Sequence, residues 1–140
     1  MNHNTLTLAT IKKFIALGVD INKKSEGYWT DGHDDNALST AAEYRRKEDI
    51  KVLLACGADI SAQEDIVLIF ISGHSALYCQ IVSQEDLISI IEGIEVLLDA
   101  GANLTQEAID FVHDEFYKNE FQDSFEQFLE ETYSQKQNTT

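Results

Sequence analysis

Residues Asn36 to Ile60, NALSTAAEYRRKEDIKVLLACGADI, decide how the chain is read. Ala37, Leu38, Ala41 and Ala42 fall three and four apart, a narrow apolar stripe for one short helix. Ile50, Leu53 and Leu54 repeat that spacing for a second. The polar segment Arg45 to Glu48 between them is short enough to force an antiparallel turn. Gly57 ends the second helix where a left-handed residue is wanted after the last turn. The alanine pair on the first helix lets the second approach closely.

The closing half of this stretch occurs three times. Ile11 to Ile21 (IKKFIALGVDI), Ile50 to Ile60 (IKVLLACGADI) and Ile94 to Leu104 (IEVLLDAGANL) align on their glycines, with apolar residues in register. The helix pair resembles an ankyrin repeat over its whole length. The family's first-helix signature T-P-L-H-x-A stands here as Asn36-Ala37-Leu38-Ser39-Thr40-Ala41, without its Thr, Pro or His. VLLACGADI resembles the family's second helix and glycine turn, and Ser75 to Ile81 resembles the first signature more weakly, with Tyr78 in the His position.

The resemblance implies an all-α fold, a short ankyrin-like helical solenoid of about three units plus caps, with glycine turns at Gly18, Gly57 and Gly101. Residues 1–133 form one such domain, 105–133 its C-terminal capping helices and 134–140 a polar tail. Gly18 to Gly57 spans 39 residues and Gly57 to Gly101 spans 44, against a family period of about 33. The distances from Gly18 to Asn36 and from Gly57 to Ser75 are both 18 residues, which places the common excess in two lengthened hairpin loops. The remainder falls near Ser83 to Ile91, between the helices of the third unit.

Thr5 or Thr7 is placed to cap a single first helix, and Thr105 a helix carrying Ala108, Ile109, Val112 and Phe116 on one side. A last helix presents Phe121, Phe125, Phe128 and Leu129. The continuously apolar run Ile66 to Ile71 fits either a strand or a short helix, buried or exposed as an edge. In the first hairpin, Tyr28 and Trp29 lie amid Asp31, His33, Asp34 and Asp35; Trp29 is either folded onto a helix or an aromatic anchor at a projecting tip.

With 25 acidic residues against 10 Lys and Arg, the net charge is −15. Such a surface repels nucleic-acid phosphates and anionic membranes and speeds encounter with basic proteins. Nine acids between Glu107 and Glu131 face Lys118 alone, either as a solvated cap or as an acidic docking face. Cys56 and Cys79 suit a reducing compartment as buried thiols. MNHNTLTLATIKK has no signal-peptide pattern, and no apolar run is long enough to cross a bilayer, so a cytoplasmic location is expected.

No motif for phosphate binding, nucleophilic catalysis or zinc stands out. His33 beside Asp34 and Asp35 has the right chemical types, but adjacent residues on a hairpin do not by themselves converge. Neither catalysis, cofactor nor metal is expected. What the resemblance implies is a non-enzymatic module that binds protein through hairpin tips and the face of its first helices. On this chain those positions are Tyr28, Trp29, Asp31, His33, Asp34 and Asp35, then Ser39, Glu43, Tyr44 and Tyr78. The expected partner is a basic protein, such as a nuclease-like toxin neutralised by an acidic immunity protein acting as a monomer or in a 1:1 complex. The alternative is a general adaptor or secreted effector scaffold.

Overall fold

Among the residues described, 7–24, 36–62 and 65–138, the computed structural model holds seven α-helices and no strand. They are α1 (Leu8–Ala16), α2 (Ala37–Glu43), α3 (Lys47–Ala55), α4 (Ile66–Ser72), α5 (Gln84–Asp99), α6 (Gln106–Glu115) and α7 (Glu120–Asn138). Single 3-10 turns cover Ile60–Ala62 and Ala76–Tyr78.

The three aligned segments end their helices identically. Gly18, Gly57 and Gly101 have φ of 95°, 96° and 108°, the left-handed conformation that glycine adopts at least cost. In each case the glycine N–H and the one after it donate back into the last helical turn. Gly57 bonds Leu54 O at 3.1 Å and Ala58 bonds Leu53 O at 3.0 Å. Two of the terminal carbonyls of α3 are thereby paired, the 5→2 and 6→1 pattern of a Schellman motif. Gly18 with Val19 and Gly101 with Ala102 do the same for α1 and α5.

Side-chain caps set the opposite ends. Thr7 Oγ1 accepts from Thr10 N at 3.1 Å and Thr105 Oγ1 from Ala108 N at 3.2 Å. At α2 the cap is reciprocal: Asn36 Oδ1 accepts from Ser39 N, and Ser39 Oγ from Asn36 N, both at 2.9 Å. Thr105→Ala removes one such acceptor and is expected to cost about 1 kcal/mol, read as a small fall in thermal midpoint.

Helices α2–α3, α4–α5 and α6–α7 pack as sequential pairs. Across the pairs, α2 packs on α4 and α4 on α6, while α1 packs on α3, α3 on α5 and α5 on α7. Helix α4 lies at the centre, against α2, α5 and α6. Its Ile66, Val67, Phe70 and Ile71 are each at most 1% exposed. Burying side chains of this size stabilises by about 1.5–3 kcal/mol each. A helix covered on several sides needs no polar face, so Ile66 to Ile71 lacks helical periodicity in sequence yet is a helix.

That placement corrects three expectations. The first helix of the third unit is Ile66–Ser72, whereas Ser75 to Ile81 contributes only the 3-10 turn Ala76–Tyr78. The link from Gly57 to α4 is therefore short, and the second lengthened hairpin is absent. Its extra residues form the segment between Gly73 and Ser83 that joins α4 to α5. Residues 83–91 are not a loop insertion either: they begin α5, which runs 16 residues against 9 in α3. The first hairpin's residues 25–35 lie outside the described residues. Helix α7 continues to Asn138, through most of the expected tail, with Phe125 and Leu129 fully buried.

Candidate functional site

The long connection from Gly73 to Ser83 is held from both sides. Arg45 reaches it from the α2–α3 turn. This residue has φ of 52°, and its N–H and that of Arg46 bond Ala42 O and Ala41 O at 3.0 and 2.9 Å. Arg45 thus occupies the position that glycine takes in the other three turns. A left-handed non-glycine residue costs about 1–2 kcal/mol, and the side chain shows what offsets it. Nε donates to Phe70 O at 2.9 Å, Nη2 to Ile71 O, and Nη2 to Tyr78 O at 2.7 Å. The guanidinium carbon also stands 5.0 Å from the centre of the Tyr78 ring. One cation therefore satisfies carbonyls at the end of α4 and fixes the following segment. Burial lowers the Arg45 pKa to about 10, which leaves it charged at neutral pH.

From the other side, Tyr117 N donates to Cys79 O at 3.0 Å and Asn119 Nδ2 to Ile81 O at 2.8 Å. Between this segment and the end of α6 lies an open groove of about 640 Å³. Its walls include His74, Cys79, Phe111, Glu115, Phe116 and Tyr117. Phe111 meets Phe116 edge-on at 6.2 Å, and Phe116 packs on Phe125 at 5.8 Å, anchoring the aromatic wall in the core. Tyr117 is 67% exposed. At the rim His74 stacks on Tyr44, ring centres 4.5 Å apart, with Nδ1 3.7 Å from Glu43 Oε1. Burial raises the pKa of the Cys79 thiol, whose sulfur lies 3.8 Å from Ser72 O. The thiol is therefore protonated at neutral pH, in keeping with a wall residue and not a nucleophile.

Of the ten residues expected to bind a partner, Tyr28, Trp29, Asp31, His33, Asp34 and Asp35 lie outside the described residues. Ser39 is 1% exposed and spends its hydroxyl on the α2 cap, so it presents no contact surface. Glu43 and Tyr44 come together at the groove rim through His74. Tyr78 lies beneath Arg45 on the segment that shapes the groove. Sequence reading missed His74, Phe111, Glu115, Phe116 and Tyr117 as a group, because they converge only once α4 is placed at Ile66–Ser72.

Among the described residues, no group of three or more His, Cys, Asp or Glu is arranged to hold a metal ion, and no helix is long and apolar enough to cross a membrane. Comparison with protein-family models, characterised proteins and solved structures gave no match.

Proposed function

We propose that the chain is a short ankyrin-like solenoid that works as a non-enzymatic protein-binding module, an acidic inhibitor that captures and neutralises a basic protein such as a nuclease toxin. The observation that carries this reading is a net charge of −15 on a stack of paired helices. The alternation of α2, α4 and α6 in one succession with α1, α3, α5 and α7 in the other supports the solenoid. Stacked helix pairs build extended binding surfaces. A nuclease must be basic where it holds phosphates, so an acidic protein of this size is suited to occlude that surface without chemistry. Charge of this magnitude favours fast capture.

The test is affinity capture from the native organism's lysate, with mass spectrometry and purification of whatever is held. One basic partner at near-equal stoichiometry, its activity suppressed in the complex, is the expected result. Several weak partners without a common charge would indicate an adaptor or effector scaffold instead.

A further inference from the structure

The groove beside the Gly73–Ser83 segment has a chemistry that selects its occupant. Phe111 and Tyr117 offer aromatic surface on one side, with Phe116 itself buried, and Glu115 is the only Asp, Glu, Lys or Arg among the lining residues. Glu43 adds a second carboxylate beyond His74 at the rim. The neighbouring cations are committed elsewhere: Arg45 donates to the carbonyls of Phe70, Ile71 and Tyr78, and Lys118 to that of His113. Aromatic faces and an exposed carboxylate, within a protein of charge −15, complement a cation with an apolar stem. A guanidinium suits both features, stacking on a ring while pairing with a carboxylate.

We infer that this groove receives an arginine or lysine side chain from a basic partner segment, held between the aromatic wall and the Glu115 carboxylate. The inference rests on the proposed binding of a basic protein and names where one of its side chains enters. The groove is fixed in shape before binding, since Arg45, Tyr117 and Asn119 tie its loop wall to both neighbouring turns. A preformed pocket spares the cost of ordering a loop on association.

The probe is a short Gly-Ser peptide carrying one central arginine, titrated into the isotope-labelled full chain and followed by NMR. A matched peptide with citrulline keeps the shape and removes the charge. The expected result is a set of shifts centred on His74, Cys79, Glu115 and Tyr117, with the citrulline peptide binding about tenfold more weakly, as for a desolvated ion pair or cation–π contact. Glu115→Gln is an exposed, conservative change that leaves the fold intact, and it should weaken the arginine peptide about tenfold. Equal binding of the two peptides, shifts spread along acidic α7 instead, or insensitivity to Glu115→Gln would each overturn the inference. A captured basic partner unaffected by Glu115→Gln and Tyr117→Ala would overturn the groove while leaving the binding reading intact. Loss of the broader reading shows separately, as failure to capture any basic protein.

Discussion

Arg45→Ala is expected to lower the free energy of unfolding by about 3 kcal/mol, because it strips a charged donor from partly buried carbonyls at the end of α4. For a chain of this length the thermal midpoint should fall by about 10 °C. The same site separates two contributions. Arg45→Gly removes the same hydrogen bonds but relieves the left-handed backbone at φ 52°. It should therefore be less destabilising than Arg45→Ala by about 1 kcal/mol. Arg45→Lys keeps the charge, yet one ammonium group cannot reproduce a planar fork aimed at three carbonyls. Chemical denaturation of the Ala and Gly variants beside wild type checks the ranking: Ala lowest, Gly between, wild type highest. Equal losses in Ala and Gly would show that the backbone conformation carries no strain.

Gly93→Ala is the second large effect, and its sign runs against helix propensity. In the middle of a helix, alanine is ordinarily better than glycine by about 1 kcal/mol. Here a methyl group on Gly93 would stand 2.1 Å from Cζ of Phe70, and below 3 Å from both flanking ring carbons. Phe70 is 1% exposed and sits on the central helix α4, which packs against α2, α5 and α6, so its ring can yield only by repacking its neighbours. Overpacking of this kind costs about 1–3 kcal/mol beyond any propensity gain, giving a net loss of about 2 kcal/mol by denaturant titration. Phe70→Leu in the same molecule should recover part of that loss, since a shorter side chain vacates the contact. Additive losses in the double variant would place the strain elsewhere.

Both effects depend on where α4 lies, which is the part of the fold that the sequence made hardest to see. The turns after α1, α3 and α5 were legible because a left-handed glycine with flanking aliphatics repeats its own signature at each site. The caps at Thr7 and Thr105 were legible for the same local reason. Helix α4 was not. Its neighbours α2, α5 and α6 cover it on several sides, so Ile66 to Ile71 shows no alternation between apolar and polar residues. Ser75-Ala76-Leu77 imitated a first-helix signature, but Gly73, with φ of 64°, turns the chain beforehand.

The candidate site inherits that difficulty. Glu43 and Tyr44, singled out from the first-helix position, meet His74 at the groove rim. In sequence Glu115 counts only among the acids of the cap and Phe116 only on the apolar side of its helix, because nothing local links them to a loop almost forty residues earlier in the chain. Ser39 differs from them: it is buried, and its hydroxyl is the acceptor the α2 terminus needs. Arg45 carried a signal that could have been used. It stands one turn after the apolar stripe of α2, where Gly18, Gly57 and Gly101 stand after theirs. A long cation in a glycine position points to a side chain with work to do elsewhere.

Under the proposed function, charge directs this protein to a basic partner. The most direct measurement is the association rate constant of the purified complex as a function of ionic strength. The association rate should fall about tenfold or more between low and near-physiological salt, with the dissociation rate changing far less. An association rate indifferent to salt would contradict it.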